Sequence, residues 1–432
     1  MKLYFFIVLF TISILSITGL YAYALFDVTS VGEIEDGTDT GVCTAEPSLA
    51  EGEKCLDGVL GTAIYTVGSS TYVVAASEVD DGIEIIDISD PTSPTSVGQL
   101  EDGSGCATDD IDKTCLAHVS TVAATTIDGG EYVVAAGHTD DGIEIVDVSS
   151  PDSPVQTSSF SDTTPNSGGC TTGTVCLDRP NDVAIATIGG NTYAVVAAAN
   201  DDGIAIIDIS TPGSPTHVIS IVDDAAKELD QAYSVAIATI SGSTYVVAVG
   251  YADDGIAIID ISTPASPSSV GRLTDRDDPT RELDGANGVA ITTIGSSTYA
   301  VVTGTNDDGV SIIDISTPST PVIVSELEDG TDTGVCTAAN GERCLDGPRD
   351  VEIETINGLT YAIVVSYLDD ALTIIDITDV SNPTIVASMY NSSTKELDEA
   401  KGVSIVTIGG STYVVVGSTT DDGIEIIRIM EN

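Results

Sequence analysis

Basic side chains are scarce in this 432-residue sequence, where 13 Lys and Arg stand against 68 Asp and Glu and the net charge is −55. A surface with that charge repels nucleic acid and anionic membranes and attracts cations. We therefore expect no nucleic-acid partner, and no membrane partner beyond a possible N-terminal anchor. The acidity has two interpretations, which are adaptation to saline surroundings and a specific role for bound cations.

Aromatic residues and histidine are also few. The chain is 5% aromatic with no Trp, so its 42% hydrophobic residues must build a core from Val, Ile and Ala. The three histidines, His118, His138 and His217, occupy unrelated positions, so neither a His-based zinc site nor a Ser-His-Asp triad is expected. The sequence contains no recognisable catalytic motif. We assign no catalytic residue and favour a protein without enzymatic activity.

The N-terminus is typical of an export signal. An apolar run from Leu3 to Leu20 follows Lys2 and precedes Ala22-Tyr23-Ala24, a small-residue cleavage pattern. The run is also long enough to act as an uncleaved anchor. We predict a signal peptide or anchor over residues 1–24 and a single domain over residues 25–432. That domain is expected to be extracellular or at the cell surface.

The eight cysteines fall into four close pairs. Their spacing is unlike that of zinc-binding thiol clusters, and an export signal favours disulfides. We predict the bridges Cys43–Cys55, Cys106–Cys115, Cys170–Cys176 and Cys336–Cys344.

A segment containing Thr-Tyr-Val-Val and Asp-Asp-Gly-Ile recurs seven times at intervals of 52 to 62 residues, and its tyrosine is Tyr72, Tyr132, Tyr193, Tyr245, Tyr299, Tyr361 or Tyr413. Such periods indicate a propeller or a solenoid. Each unit predicts four antiparallel strands, and the third is apolar on both faces, as stacked blades require. We predict an all-β fold, a seven-bladed β-propeller of four-stranded antiparallel blades.

Ring closure is visible in the sequence. The seventh unit ends after its third strand, and the segment Thr29 to Gly37 matches the fourth strands of other units, such as Ser96 to Gly103. An N-terminal strand that completes the last blade leaves no free sheet edge. We therefore predict that the N-terminal strand closes the ring.

The repeated Ile-Ile-Asp-Ile-Ser-x-Pro-x-x-Pro, as at Ile85 to Pro94 and Ile258 to Pro267, resembles the LVIVD repeat of extracellular archaeal and bacterial β-propellers. The resemblance covers essentially the whole chain after residue 24. It implies the blade architecture and an extracellular address, and it implies no activity, because that family has no assigned catalytic residues.

Acids repeat at fixed positions. Each unit begins with a leucine, which we call the rim leucine, namely Leu56, Leu116, Leu177, Leu229, Leu283, Leu345 or Leu397. An Asp follows it in six units, with Ala117 in the second. The second acid of the Asp-Asp-Gly turn lies 24 residues farther on, at the open end of the same predicted hairpin.

The local interpretation is that these acids cap turns. The functional hypothesis is a ring of calcium ligands. In it, the second turn acid points outward and is paired with the Asp that follows the rim leucine of its own unit. The candidate metal ligands, called the rim acids below, are Asp57, Asp81, Asp178, Asp202, Asp230, Asp254, Asp284, Asp308, Asp346, Asp370, Asp398 and Asp422.

Two functions remain open. The first is a non-enzymatic cell-surface or secreted binding or structural module, with an unknown extracellular protein, a glycan or cations as partners. The alternative is a calcium-dependent hydrolase of the lactonase or phytase-like propeller kind. A few residues break the repeat, but the sequence alone does not assemble them into a site; they are Ala117, His118, Arg179, Asn181, Asp182, Arg349 and Asp350.

Overall fold

A computed structural model of the chain describes residues 26–35, 55–102, 116–162, 170, 174–224, 227–277, 281–329, 344–392 and 397–431. The predicted signal segment, together with Cys43, Cys106, Cys115 and Cys336, lies outside these residues. The described chain contains no helix with the length and apolarity to span a bilayer. Its only helical element is a three-residue 3-10 turn, Asp275–Asp277.

The strands form seven antiparallel sheets of four strands each, which confirms the predicted fold class. Blades one to three consist of β2 Val59–Val67, β3 Ser70–Ser77, β4 Gly82–Asp87 and β5 Thr95–Glu101; β6 Val119–Ile127, β7 Gly130–Gly137, β8 Gly142–Asp147 and β9 Val155–Ser161; and β10 Pro180–Ile188, β11 Asn191–Ala198, β12 Gly203–Asp208 and β13 Thr216–Val222.

Blades four to six consist of β14 Ala232–Ile240, β15 Ser243–Gly250, β16 Gly255–Asp260 and β17 Ser268–Thr274; β18 Ala286–Ile294, β19 Ser297–Gly304, β20 Gly309–Asp314 and β21 Val322–Glu328; and β22 Pro348–Ile356, β23 Leu359–Ser366, β24 Ala371–Asp376 and β25 Thr384–Tyr390. Blade seven takes its first three strands from the C-terminal part of the chain, β26 Ala400–Ile408, β27 Ser411–Ser418 and β28 Gly423–Glu431.

The N-terminal strand β1, Phe26–Glu35, is the fourth strand of blade seven. It pairs antiparallel with β28, with Val28 opposite Ile429 and Ile34 opposite Ile424. The ring is also closed on its inner side, because β26 packs against β2 of blade one. The predicted closure is confirmed, and no blade is left with an open third strand.

The hydrophobic core lies between blades. Side chains of β11 and β12, such as Val195 and Ile206, pack against Val235 and Ala257 of the next blade. Five of the six residues of every third strand from β4 to β24 are buried, because each blade is covered on both faces. Closure uses the same packing, since Ile34 of β1 lies in one apolar cluster with Leu56 and Val59 of blade one.

The predicted disulfide Cys170–Cys176 is present, with its Cα atoms 5.5 Å apart. Cys55 and Cys344 are also disulfide-bonded. Their predicted partners are outside the described residues, so the other three pairings stay predictions.

Candidate functional site

A central channel runs along the axis of the ring. It is lined by the first strand of every blade, because these seven strands are the innermost and contact one another around the circle. The channel encloses a cavity of about 530 Å³. A second cavity of about 270 Å³ continues it toward the rim leucines, and the two share Thr121, Asp182, Ser234 and Asp350. We call this second cavity the channel mouth.

The channel mouth is built on seven β-bulges. In each first strand the pairing with the second strand slips by one residue, as between Pro180 and Asp182 or between Pro348 and Asp350. The slip falls at the fourth residue after the rim leucine. A bulge interrupts the ladder and redirects the side chain of the extra residue. These seven residues, the mouth ring, all line the cavity and are Leu60, Ser120, Asn181, Tyr233, Asn287, Arg349 and Lys401.

The next residue of each first strand forms a second ring, Gly61, Thr121, Asp182, Ser234, Gly288, Asp350 and Gly402. Glycine is required at some of these positions because neighbouring blades approach closely. A Cβ atom on Gly288 would lie 2.5 Å from the carbonyl oxygen of Arg349, and one on Gly402 would lie 2.5 Å from that of Leu60. Close backbone contact between blades therefore restricts these positions to glycine. The other positions of the two rings carry different side chains in different blades.

Basic side chains cluster at the channel mouth. Arg179, Arg349 and Lys401 line one small cavity in a chain with only 13 Lys and Arg. Lys401 pairs with Glu399 at 3.4 Å, whereas neither arginine forms an ion pair within the described part of the chain. In a protein this acidic, two guanidinium groups without a carboxylate partner are unusual. They give the mouth the capacity to bind an anion.

The two arginines are held in place by uncharged groups. Arg179 Nε donates a hydrogen bond to His138 Nε2. Burial, followed by the charge of Arg179, lowers the pKa of His138 to about 4, so this imidazole is a neutral acceptor near pH 7. The guanidinium of Arg349 lies over the ring of Tyr367, with its Cζ atom 5.8 Å from the ring centroid.

Arg179 has a left-handed backbone, with φ of 59°. Blades one, five and six use Gly58, Gly285 and Gly347 at this position, which has no steric cost for glycine. A side chain there costs on the order of 1–2 kcal/mol. Blades two, four and seven bear the same cost, because His118, Gln231 and Glu399 also have left-handed backbones at this position.

Two carboxylates of the second ring lie directly beyond the cations. Both oxygens of Asp182 accept hydrogen bonds, from Ser234 Oγ at 2.7 Å and from the amides of Val183 and Val235 at 2.8 and 2.9 Å. Asp350 accepts the amides of Val351 and Val403 at 2.8 and 3.0 Å. Each of these acids therefore joins its own blade to the next.

Burial is the main cause that raises the pKa of both acids. The pKa of Asp350 rises to about 6, with the nearby charge of Asp182 as a further cause. The pKa of Asp182 rises as well, against the opposing effect of its hydrogen bonds. Asp350 is consequently ionised at pH 7 but close enough to its pKa to exchange a proton.

Blade six alone places further acids in the channel. Glu352 and Glu354 follow Asp350 at alternate positions of β22 and line the larger cavity. At the position of Glu352 the other blades carry Ala63, Ala123, Ala184, Ala236, Ala290 and Ser404. Glu352 is reached by solvent but enclosed by the channel wall, and this desolvation, with the charge of Asp350, raises its pKa to about 8. Near pH 7 the carboxyl group of Glu352 is mostly protonated.

Two buried amide groups in the mouth lack hydrogen-bond partners. The Nδ2 atoms of Asn181 and Asn287 are buried and donate to no acceptor in the described structure. The whole Asn287 residue is only 7% exposed. A buried polar group without a partner costs about 1–3 kcal/mol. Both asparagines belong to the lining of the mouth.

The rim acids have a different geometry from the one expected. The first acid of each turn caps the hairpin as predicted, since the Oδ2 atoms of Asp201 and Asp253 accept the amides of Asp178 and Asp230 at 2.9 and 2.8 Å. The second acid does not point outward, and that expectation was wrong. Its backbone is left-handed in all seven blades, with φ between 49° and 53°.

The second turn acid binds the next blade instead. Its Oδ1 atom accepts the amide of the second residue after the next rim leucine, for example Asp202 from Gln231 at 3.0 Å and Asp370 from Glu399 at 2.9 Å. The same bond recurs at Asp81, Asp141, Asp254 and Asp308. We call these contacts the inter-blade latches.

The acid that follows the rim leucine therefore meets the second turn acid of the preceding blade, as well as the first turn acid of its own hairpin. Burial, and then the charges of Asp202 and Asp253, raise the pKa of Asp230. Burial also raises the pKa of Asp370, which faces Asp398 of blade seven. Among the described residues, the only three metal-ligating groups with mutually close atoms are Cys170, Cys176 and Asp201, and these cysteines are joined in a disulfide. Calcium binding by the rim acids stays a prediction.

Sequence reasoning had noted Arg179, Asn181, Asp182, Arg349 and Asp350 but found no set among them. The structure brings all five to the channel mouth. Alignment of the seven units on the rim leucine would have revealed them, because the second, fourth and fifth residues after it vary between blades. Tyr233, Asn287, Lys401 and Glu352 were missed entirely.

The comparisons with known proteins agree with the fold. The LVIVD repeat matches residues 71–102, 184–223, 241–275, 296–329 and 361–391. No curated protein matches the sequence. Among solved structures, a Lactobacillus plantarum protein matches with a TM-score of 0.55 at 12% identity, covering 86% of this chain and 88% of that one.

Two further solved structures have names that state a function. A putative 6-phosphogluconolactonase from Bacteroides fragilis matches with a TM-score of 0.54 at 12% identity, covering 85% and 89% of the two chains. The periplasmic gluconolactonase of Pseudomonas aeruginosa matches with a TM-score of 0.54 at 9% identity, covering 77% and 86%. At these identities the likeness shows the propeller fold alone.

Proposed function

Because this chain is a seven-bladed β-propeller built from LVIVD repeats, we propose that it is an exported, non-enzymatic binding module that takes a small anionic ligand at its channel mouth. The observation that carries the proposal is the convergence of Arg179, Arg349 and Lys401 on one cavity, where neither arginine forms an ion pair with any of the described residues. The unpartnered amides of Asn181 and Asn287 support it, because a ligand acceptor would satisfy them.

The location of the site supports a binding role for the ring as a whole. Propeller channels gather one side chain from each blade, so a small ligand contacts several blades at once. The rest of the surface is acidic and repels anions. An anion would thus be retained at the mouth and excluded elsewhere, which gives a single site per molecule.

Titration calorimetry of the protein from residue 25 onward tests this proposal, with acetate, butanoate, gluconate and phosphate as probes. We expect one site per chain for at least one anion, and at least tenfold weaker binding in R349Q, because a charge-assisted hydrogen bond contributes about 1.5–3 kcal/mol. R276Q is the matched control, since Arg276 pairs with Asp253 away from the channel. No binding of any probe, or equal loss in both variants, contradicts the proposal.

A second candidate is the hydrolase, of which one observation is favourable. Asp350, with a pKa of about 6, lies beside Arg349, and such a carboxylate can act as a general base near neutral pH. The names of the two similar lactonase structures suggest δ-gluconolactone as a probe. Proton release from this lactone, with and without calcium, tests the candidate. Turnover that is lost in D350N would favour the enzyme over the binding module.

A further inference from the structure

The channel has opposite charges at successive depths. The mouth ring carries Arg349 and Lys401, and Arg179 joins them. One residue farther along the first strands come Asp182 and Asp350, and two residues beyond Asp350 comes Glu352. At roughly 3.3 Å per residue, the acids lie between about 3 and 10 Å deeper than the cations.

The inner acids are not a by-product of the general acidity of the chain. The high charge is carried by rim and loop positions, whereas the channel position of Glu352 is alanine in five other blades. After burial, the charges of Asp350 and Asp182 raise the pKa of Glu352, and the charge of Asp182 raises that of Asp350. Glu354 on the same strand adds to this effect, and Arg349 acts against it at Asp350. A positive charge in the channel would relieve this repulsion.

We propose that the ligand is a small zwitterion, with a carboxylate held by Arg179, Arg349 and Lys401 at the mouth and an ammonium group held by Asp182, Asp350 and Glu352 inside the channel. This inference rests on the proposed anion site and deepens it by defining the far end of the ligand. The buried, unpartnered amide of Asn287 in the mouth is independent support for a ligand there, since it requires an acceptor such as the carboxylate.

The chemical distinction is between an amine and hydroxyl groups at the inner end of the ligand. An ammonium group gains charge-assisted hydrogen bonds from Asp350 and from ionised Glu352. Its binding therefore displaces the proton that Glu352 holds near pH 7. A hydroxy acid such as gluconate, which has no amine, leaves Glu352 protonated in contrast. The carboxyl group of Glu352 can then donate a hydrogen bond to a hydroxyl group of the ligand. The zwitterion consequently binds with proton release and binds more tightly as the pH rises through about 8.

Calorimetry with three matched probes, 4-aminobutanoate, butanoate and butylamine, tests the inference, with 6-aminohexanoate for a longer charge separation. We expect at least one amino acid to bind at least about tenfold more tightly than butanoate and than butylamine. A titration in unbuffered sodium chloride, followed with a pH electrode, should reveal proton release at pH 7. E352Q should abolish that release and reduce the preference for the amine, while butanoate binding is retained.

The outcomes separate the two proposals. If butanoate or gluconate binds as tightly as the amino acids, or if no proton is released, the zwitterion is wrong and the anion site stands. If no carboxylate binds, or if R349Q has no effect on carboxylate binding, both proposals are wrong. E131Q, which removes the charge of a partly buried glutamate on β7 outside the channel, is the control for E352Q.

Discussion

Asp202 Oδ1 accepts a hydrogen bond of 3.0 Å from the main-chain amide of Gln231 across the boundary between blades three and four. Both residues have left-handed backbones, with φ of 49° and 53°. The Asp-Asp-Gly turn thus performs two tasks, because its first acid caps its own hairpin and its second acid holds the next blade. The most regular motif of the sequence is therefore a structural joint of the ring.

Removal of one inter-blade latch should destabilise the ring. We expect D202A to lower the free energy of unfolding by about 0.5–1.5 kcal/mol, because the amide of Gln231 loses its carboxylate acceptor. D202N should be close to wild type, since Asn retains an acceptor and tolerates the left-handed backbone. Urea denaturation measures both. D128A is the control, as Asp128 has φ of 51° in an exposed turn; equal losses in D128A and D202A would remove the latch from the explanation.

Closure by β1 should depend on Gly32 as blades one and four depend on Gly98 and Gly271, which occupy the same register position. A Cβ atom at Gly32 would lie 2.3 Å from the carbonyl oxygen of Pro91, and one at Gly98 would lie 2.2 Å from that of Pro151. We expect G32A and G98A each to cost about 1–3 kcal/mol by overpacking. The control is G213A, where the added methyl group meets no atom within 4 Å. A thermal melt in which G32A resembles G213A would contradict the role of β1, and so would deletion of residues 29–34 without loss of stability.

Arg179 should weaken the fold while it serves the site. We expect R179G to be as stable as wild type or more stable, by up to about 1 kcal/mol in urea denaturation, because glycine removes the left-handed strain and its greater entropy in the unfolded chain offsets only part of that gain. The same variant should lose at least tenfold in affinity for any anion that binds at the mouth. A variant that is less stable than wild type and binds anions normally would show that Arg179 is structural.

The pH dependence of stability should reveal Glu352. Its folded-state pKa is about 8 against an ordinary value of 4.5, so between these values the folded protein binds a proton that the unfolded chain has released. Stability therefore falls as the pH rises from about 4.5 to about 8, and the contribution levels off above that. Relative to wild type, E352Q should gain on the order of 1 kcal/mol at pH 9 and little at pH 4, after allowance for screening by channel water. A constant difference between the two proteins across this range would rule out the shift.

Calcium should stabilise the rim if the rim acids bind it. At about ten times a dissociation constant of roughly 10⁻⁴–10⁻³ M, one site contributes about 1.4 kcal/mol. Thermal melts in millimolar calcium and in sodium at matched ionic strength measure the effect. The boundary of blades one and two lacks one acid because Ala117 replaces Asp, so A117D should enlarge the calcium shift. Equal shifts in both salts would leave only general screening.

The fold was predictable because repetition marks every blade, and because Thr29 to Gly37 resembles a fourth strand that the seventh unit lacks. The site was harder to predict for a physical reason. The uniform Asp residues pointed to a metal site, whereas the structure assigns them to caps and latches. Arg349 and Asn181 gained their position from bulges, and a one-residue slip in pairing is not visible in the alternation of apolar residues. Equivalent positions that differ between blades were the available signal.

The pairing of β1 with β28 also determines when, during synthesis of the chain, the ring can close. Translation proceeds from the N-terminus at about 5–20 residues per second, so β1 waits for roughly 20–80 s until its partner strand, Gly423–Glu431, has been made. During that interval blade seven does not exist, and the exposed faces of blades one and six need protection from other chains. A chain that stops before β28 can never join its two ends. Closure thus acts as a completeness check, because only a chain that includes β28 gives blade seven its four strands.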